Sequence, residues 1–257
     1  DADLLHLAPY VLKDSAGKAV PDIINVTLNR PAVFGANVVA SLGSAREQCV
    51  VETDNKAIDT HEIESFLNAA FQTANRAQFN AQEPLLGPFA DSQLCFRGRT
   101  ARRVLCHEVN GQAKIDIKPW DGRHVYRQKG DTGLIWAAYE TKRKKTDVEK
   151  WYGAEAAIHV SGKQSVVLDV WDQTHNEVWI DGYKVKEQGH TYGVTPVVES
   201  IVYLGYGDAL LDEGAGKYVG ESIFFMIRDI VPELNRLASI LQTLNFEQLK
   251  AALLWVI

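Results

Sequence analysis

The stretch that decides the fold is GAGKYVGESIFFMIRDIVPELNRLASILQTLNFEQLKAALLWVI, residues 214 to 257. Its apolar side chains recur in alternating steps of three and four, which is typical of an amphipathic helix that packs on another helix. They are Ile227, Ile230, Leu234, Leu237, Leu241 and Leu244. Ser222 occupies an N-cap position, and Pro232 predicts either a helix restart with proline in the first turn or a bend. A helix from Pro232 to about Lys250 would be roughly 28 Å long.

The other faces of this helix carry neutral polar side chains as well as charges. They are Asn235, Ser239, Gln242, Thr243, Asn245 and Gln248. Solvated helix faces favour Glu and Lys, because both have better helix propensity than Asn, Ser or Thr. The composition therefore predicts a helix with neighbours on more than one side, although one helix of an ordinary bundle would show the same periodicity.

Length and charge limit the possible classes of protein. A chain of 257 residues with 46% hydrophobic residues can form one large domain or two small ones with a true core. The net charge of −6 argues against a protein that grips nucleic-acid phosphates. Clustered basic residues occur only at 142–145 and among Arg97, Arg99, Arg102 and Arg103. The run at 142–145 is expected to be a solvated loop face, although such a patch could also meet an acidic neighbour or DNA.

Cysteine spacing and hydropathy exclude further classes. Cys49, Cys95 and Cys106 have no metal-like spacing, so they predict buried thiols in a reducing compartment and no disulfide framework. No apolar run reaches the roughly 18 residues of a membrane span, so no membrane contact is expected. The chain begins with Asp1 and ends in an apolar run, so both ends are expected to be cut from a longer polypeptide.

Apolar periodicity and end signals predict further helices. The first runs from Pro31 to Gly43, and the second begins after an Asp59-Thr60 cap. A third lies within residues 84–98, and a short one spans 146–152 before a glycine. The first 31 residues contain turn signals at 14–17 that predict a hairpin or an extended arm.

Hairpin signals predict an antiparallel α+β body over residues 84–200. Asn110-Gly111 separates strands at 100–109 and 113–117, and Asp181-Gly182 turns a hairpin over 176–185, because both residues of each pair tolerate positive φ. Further predicted strands cover 134–139 and 165–171, and one ends at Tyr203. Residues 205–220 are glycine-rich and polar, which predicts a mobile loop before the long helix.

Two candidate catalytic motifs are incomplete. Residues 214–217 read Gly-Ala-Gly-Lys, but a phosphate-binding loop needs a glycine at the position of Leu211 and the short hydroxyl side chain of Ser or Thr at the position of Tyr218. His61-Glu62 begins like a zinc-protease helix and lacks the second histidine.

A third candidate, a small metal-dependent hydrolase, would need Asp169, Asp172 and His175 to be gathered by a bend. Strand alternation places Asp169 and Asp172 on opposite faces, which favours an exposed strand edge over a metal or acid–base site. No catalytic residue, cofactor or metal is therefore predicted, and a structural or assembly role is favoured over an enzyme.

A series of motifs covers nearly the whole chain: the Glu-Ser-Phe-Leu helix, Phe96-Arg97-Gly98, the 100–117 hairpin, Pro119 with Arg123 and Tyr126, Trp151-Tyr152-Gly153, Trp171-Asp172, His190-x-Tyr-Gly-x-x-Pro-Val-Val, and Gly220-Glu-Ser before Pro-Glu-Leu-Asn-Arg-Leu. The order of these motifs resembles the wing and first stem helix of tailed-bacteriophage portal proteins.

The resemblance implies a portal-like wing over residues 1–218 and a stem-directed helix over 219–257. The family's clip, returning stem helix and crown would follow Ile257. It further implies a homo-oligomeric ring, usually of twelve copies, in the virion at one capsid vertex, assembled in the host cytoplasm. Its partners would be the major capsid protein, terminase, a head–tail adaptor and double-stranded DNA passing without sequence specificity.

The resemblance and the polar helix composition together suggest a subunit interface or lumen surface. The residues expected there are Asn235, Arg236, Ser239, Gln242 and Asn245. Heterologous contacts between identical chains close into a ring, which would crowd the helix from two flanks. The alternatives are another phage structural or adaptor protein and, more remotely, the hydrolase described above.

Overall fold

The computed structural model describes residues 2–45, 49–55, 58–202 and 220–254. Within them the chain is mixed α+β, with seven α-helices and two antiparallel sheets of three and five strands. It divides into two compact units, one of Asp1–Ala45 with Val202–Ile257 and one of Arg46–Ile201. The expected wing–stem boundary at 218/219 and most of the expected 205–220 loop lie outside the described residues.

The unit that contains both chain ends is helical. Its helices are α1 (Ala2–Leu5), α2 (Arg30–Gly43) and α7 (Ile230–Leu254). The predicted helix over 31–43 is confirmed, and α7 has Pro232 in its first turn, which confirms the restart alternative. Proline is tolerated there because the first four N–H groups of a helix have no intrahelical acceptor. Ser222 does not cap this helix; its hydroxyl accepts from Phe224 N at 3.1 Å within a preceding run of turns.

The second unit contains two helices, one of which begins and the other of which ends where the sequence predicts. Helix α3 (Thr60–Asn80) is capped by the Asp59 carboxylate, which accepts from His61 N at 2.9 Å. Helix α4 (Leu86–Arg97) ends at Gly98, whose φ of +67° is the left-handed conformation that glycine adopts without steric cost.

The three-stranded sheet has the order β2–β1–β8. Its strands are β1 (Arg99–Val109), β2 (Gln112–Trp120) and β8 (Val197–Ile201). Asn110 and Gly111 have φ of +53° and +77°, as a two-residue turn with positive φ at both positions requires. The predicted hairpin is therefore confirmed.

The five-stranded sheet is an antiparallel meander in chain order. Its strands are β3 (Val125–Gly130), β4 (Gly133–Lys144), β5 (Gln164–Asp172), β6 (His175–Ile180) and β7 (Tyr183–Gly189). The turn at Asp181-Gly182 has φ of +47° and +87°, which confirms the second predicted hairpin.

Two parts of this sheet differ from the sequence prediction. Strand β3 was not predicted, because only Val125 of its six residues is buried and its polar sequence lacks strand alternation. Strand β4 continues to Lys144, so the basic run 142–145 lies on a strand and on the first residue of α5 (Lys145–Tyr152), not in a loop. A short helix α6 (Ala154–Ala157) follows α5.

The buried core of the second unit lies between its layers. Ala101 and Trp120 of the smaller sheet pack with Val125, Ala137 and Trp171 of the larger one. A second cluster lies under α5 and α6 against β5 and β6, and a third joins α3 and α4 to β2. These contacts fix both sheets within this unit.

The cysteine prediction holds for one of three residues. Cys95 is buried, Cys49 is half-buried and Cys106 is exposed, and all three are free thiols. The expectation of a buried thiol is therefore wrong for Cys106, which lies in the exposed C-terminal part of β1. Among the described helices, none combines the length and the apolar character needed to cross a bilayer.

Candidate functional site

An extended segment, residues 23–28, lies along α7 within the unit that contains both chain ends; we call it the arm. Two side chains of the arm bind backbone amides of residues 10 and 12. Asn25 Oδ1 accepts from Leu12 N and Thr27 Oγ1 accepts from Tyr10 N, each at 2.8 Å. The arm therefore joins residues 10–12 to the helix.

Every second backbone amide of the arm donates to a side chain of α7. The pairs are Leu28 N with Asn235 Oδ1 at 3.0 Å, Val26 N with Ser239 Oγ at 2.8 Å and Ile24 N with Thr243 Oγ1 at 2.9 Å. We call the three helix residues the polar ladder. Four helical residues rise about 6 Å and two strand residues about 6.6 Å, so the two periods match closely over this length.

The two hydroxyls of the polar ladder are used in both directions. Ser239 Oγ also donates to Asn235 O at 2.7 Å, and Thr243 Oγ1 donates to Ser239 O at 2.8 Å. A hydroxyl has one donor and two acceptor positions, so it can bond the preceding helical turn and still accept from the arm. This explains why small hydroxyl residues stand at these positions of the helix.

The residues predicted at a subunit interface or lumen divide into two groups. Asn235 and Ser239 are 6% and 0% exposed and have their partners inside this chain, so a neighbouring subunit is not needed to explain them. Arg236, Gln242 and Asn245 are exposed, and for them the interface assignment stays a prediction. Thr243 was not among the predicted site residues, although its four-residue spacing from Ser239 was a visible signal.

The predicted packing seam of α7 is exposed. Five of its apolar residues, which we call the apolar stripe, have exposed fractions of about one half: Ile230 54%, Leu234 47%, Leu237 57%, Leu241 61% and Leu244 56%. Contiguous exposed apolar residues mark interaction surfaces, since isolated proteins rarely leave such a patch uncovered. The seam therefore has the composition of a helix–helix contact without such a contact among the described residues.

Each basic residue of the described segment 220–254 is held by a nearby carboxylate. Arg228 Nη1 lies 3.2 Å from Glu221 Oε2, and Arg236 Nη2 lies 2.6 Å from Glu233 Oε2. Lys250 Nζ, the third, lies 3.0 Å from Glu247 Oε1. The Arg236 and Lys250 pairs are exposed and add little stability, but all three pairs reduce the positive charge offered to a polyanion.

The three residues of the hydrolase alternative do not all converge: His175 Nδ1 lies 3.9 Å from Asp172 Oδ1, but Asp169 has other partners. Asp169 accepts from Asn176 Nδ2 at 2.7 Å and pairs with Arg103 at 3.4 Å. Asp172 instead accepts the backbone amides of Thr174 and His175 in the β5–β6 turn. Burial acts to raise the pKa of Asp172, but these hydrogen bonds outweigh it and lower the pKa.

The remaining motifs gain no support as chemical sites. Among the described residues, no group of three or more His, Cys, Asp or Glu side chains is arranged to hold a metal ion. His61 lies in the first turn of α3, where its backbone amide is the group that the Asp59 cap binds. The Gly214–Lys217 motif lies outside the described residues.

Comparison with known proteins adds no family assignment. A scan against protein-family models and a search of curated proteins both return no match for this chain.

Proposed function

We propose that this chain is the wing and first stem helix of a portal-type protein, a homo-oligomeric ring that conducts double-stranded DNA through one vertex of a phage capsid. The observation that carries the proposal is the apolar stripe of α7, which requires a partner that the described chain does not supply. A neighbouring copy is the simplest partner, because one heterologous contact repeated around an axis closes into a ring.

The size of the stripe sets how much it contributes to assembly. Its five exposed fractions amount to slightly less than three fully exposed side chains. At 1.5–3 kcal/mol per side chain, covering them is worth roughly 4–8 kcal/mol. Association itself costs an estimated 4–15 kcal/mol, so the stripe seeds the contact and further surfaces must complete it. Arg236, Gln242 and Asn245 are proposed to lie in that larger interface or to face the lumen.

The charge of the chain fits passage of DNA without tight binding. Each phosphate that a protein neutralises adds affinity, so a duct lined by free lysine and arginine would slow translocation. The net charge of −6 and the carboxylate partners of Arg228, Arg236 and Lys250 keep the positive charge of the segment 220–254 low. In this proposal the chain contributes no catalytic group, and terminase, the capsid protein and a head–tail adaptor dock around the ring.

The proposal is tested by particle mass and shape. The intact protein should give a ring with a central hole in negative-stain images and a multimeric mass by light scattering. Replacing Leu237 and Leu241 with Asp should reduce the mass to that of the monomer, because both side chains are more than half exposed. Val194→Asp is the matched control, since Val194 is 62% exposed and lies outside α7.

Three outcomes bear on the proposal differently. A monomeric native protein would overturn it, and so would a multimer that both leucine substitutions leave unchanged. A defined multimer without a central hole would replace it with the second candidate, a phage structural or adaptor protein that uses the same stripe. Circular dichroism of the variants establishes that the monomer remains folded.

A further inference from the structure

A second surface, in the sheet-containing unit, has the composition of a small-ligand site. A cavity of about 300 Å³ lies against β1 and the ends of β5 and β7. Four of its ten lining residues are Arg, Lys or His, and none is Asp or Glu. Within a chain of net charge −6, this concentration of basic groups favours an anionic ligand.

One wall of the cavity is aromatic. The ring centroid of His190 lies 5.5 Å from that of Trp171 and 4.8 Å from that of Tyr192, with the planes tilted by 34° and 39°. The Arg103 guanidinium lies over Trp171, 5.5 Å from its centroid. Tyr192 is fixed by a 3.1 Å hydrogen bond from its hydroxyl to Cys106 O. Such a wall can pack against a planar group.

Three of these lining residues contain polar atoms that the protein leaves unsatisfied. Arg103 Nε, Trp171 Nε1 and both ring nitrogens of His190 are shielded from solvent and have no hydrogen-bond partner among the described residues. Most buried polar groups in native proteins are paired, so this concentration of unpaired nitrogens beside one cavity is unusual. Arg and Trp donate only, so a ligand that reached these nitrogens would need acceptor oxygens.

Of the basic residues that line the cavity, Arg103 is already paired with carboxylates, whereas Lys186 remains available to bind an anion. Arg103 Nη2 lies 2.9 Å from Asp116 and Nη1 lies 3.4 Å from Asp169, so its charge is already balanced. Lys186 lines the cavity, is exposed and has no ion-pair partner within the described part of the chain. It is therefore the group best placed to pair with a ligand anion.

We propose that this cavity binds a small planar anion, in which a phosphate or carboxylate is attached to an aromatic or heteroaromatic ring. The ring packs on the Trp171–His190–Tyr192 wall, and the anion lies toward Lys186 and His107. The volume is at the lower end of the range for ligand pockets, which limits the ligand to about the size of a mononucleotide. This site is independent of the ring proposal, because ligand affinity and particle mass are measured separately.

The test uses adenosine monophosphate as a probe and titration calorimetry of the intact protein. We expect a Kd below about 1 mM for the probe. Adenosine, which lacks the anion, and ribose 5-phosphate, which lacks the ring, should each bind at least about tenfold more weakly. Failure of the probe to bind, or equal binding of either fragment, would overturn the proposal.

Variants connect the affinity to this cavity. The double substitution His107→Ala with Lys186→Ala should weaken the probe by about tenfold, because both side chains are exposed and line the site. Lys163→Ala removes an exposed positive charge outside the cavity and should leave the affinity unchanged. His190→Phe keeps an aromatic ring but removes both nitrogens, so it should also weaken binding. Equal affinity in the double variant and the native protein would place the probe elsewhere and refute the assignment.

Discussion

Replacing Ser239 with Ala tests whether the polar ladder binds the arm of its own chain or a neighbouring subunit. Ser239 is fully buried, and its hydroxyl accepts the Val26 amide at 2.8 Å. The substitution leaves that amide, whose hydrogen bond is part-buried, without its side-chain acceptor. An unsatisfied buried donor costs about 1–3 kcal/mol. Local opening of the arm should therefore become about 5- to 150-fold more favourable.

The assay is amide hydrogen exchange of the Val26 amide and its neighbours in the arm, measured at a protein concentration too low for self-association. Exchange there should accelerate by the factor given above, since protection reports the local opening free energy. Gln242→Ala is the control, because Gln242 is exposed on the same helix and its side chain has no hydrogen bond to another described residue that would be lost. If Ser239→Ala changed the oligomeric mass and left exchange of the arm unchanged, the in-chain hydrogen bond would be refuted and the interface assignment of Ser239 restored.

Two further predictions concern the sheet-containing unit. Gly182→Ala should destabilise the β6–β7 hairpin by about 1 kcal/mol, because its φ of +87° is unfavourable for residues with a side chain and no neighbouring atom obstructs the added methyl. Thermal unfolding checks this, with Gly162→Ala, which has no such constraint on φ, as a near-neutral control. Asp121 should give acid-dependent stability. Burial acts to raise its pKa, but hydrogen bonds from Arg123 outweigh burial and lower it. A carboxyl group whose pKa is lowered on folding stabilises the protein above its unfolded pKa, near 3.8, and loses that contribution as pH falls through the folded pKa. In the Asp121→Asn variant, the thermal unfolding midpoint should therefore depend less on pH in this acidic range. If the midpoint varied with pH as it does in the native protein, Asp121 would not be a source of the acid-dependent stability.

The turns and helix ends were accessible from sequence because they depend on local chemistry. Asn110-Gly111 and Asp181-Gly182 encode positive φ directly, and Asp59 caps α3 with a side chain two residues from the amide it binds. Such signals act over two to four residues, so no tertiary context is needed to read them. Strand β3 carried no comparable signal, since its pairing with β4 compensates for a mostly exposed, polar sequence.

The candidate surfaces were less accessible, because they combine residues distant in sequence. The ladder pairs Ser239 with Val26, 213 positions away, and the cavity joins Arg103 of β1 to His190 beyond β7. Periodicity identified α7 and its apolar face, but not which face the chain itself covers. A helix contributes the same stripe whether its partner is another helix, an extended arm or a second molecule.

By itself, the sequence determined the positions of the five longer helices and of two hairpins, the amphipathic character of α7 and the acidic balance of the chain, since all of these depend on composition and local spacing. Only the tertiary structure decided that the small polar residues of α7 face inward, where they bind the arm, and that the apolar stripe faces outward. The physical reason is that backbone N–H groups removed from water need acceptors: three part-buried amides of the arm find them in Asn235, Ser239 and Thr243, which stand at four-residue spacing on the adjoining helix.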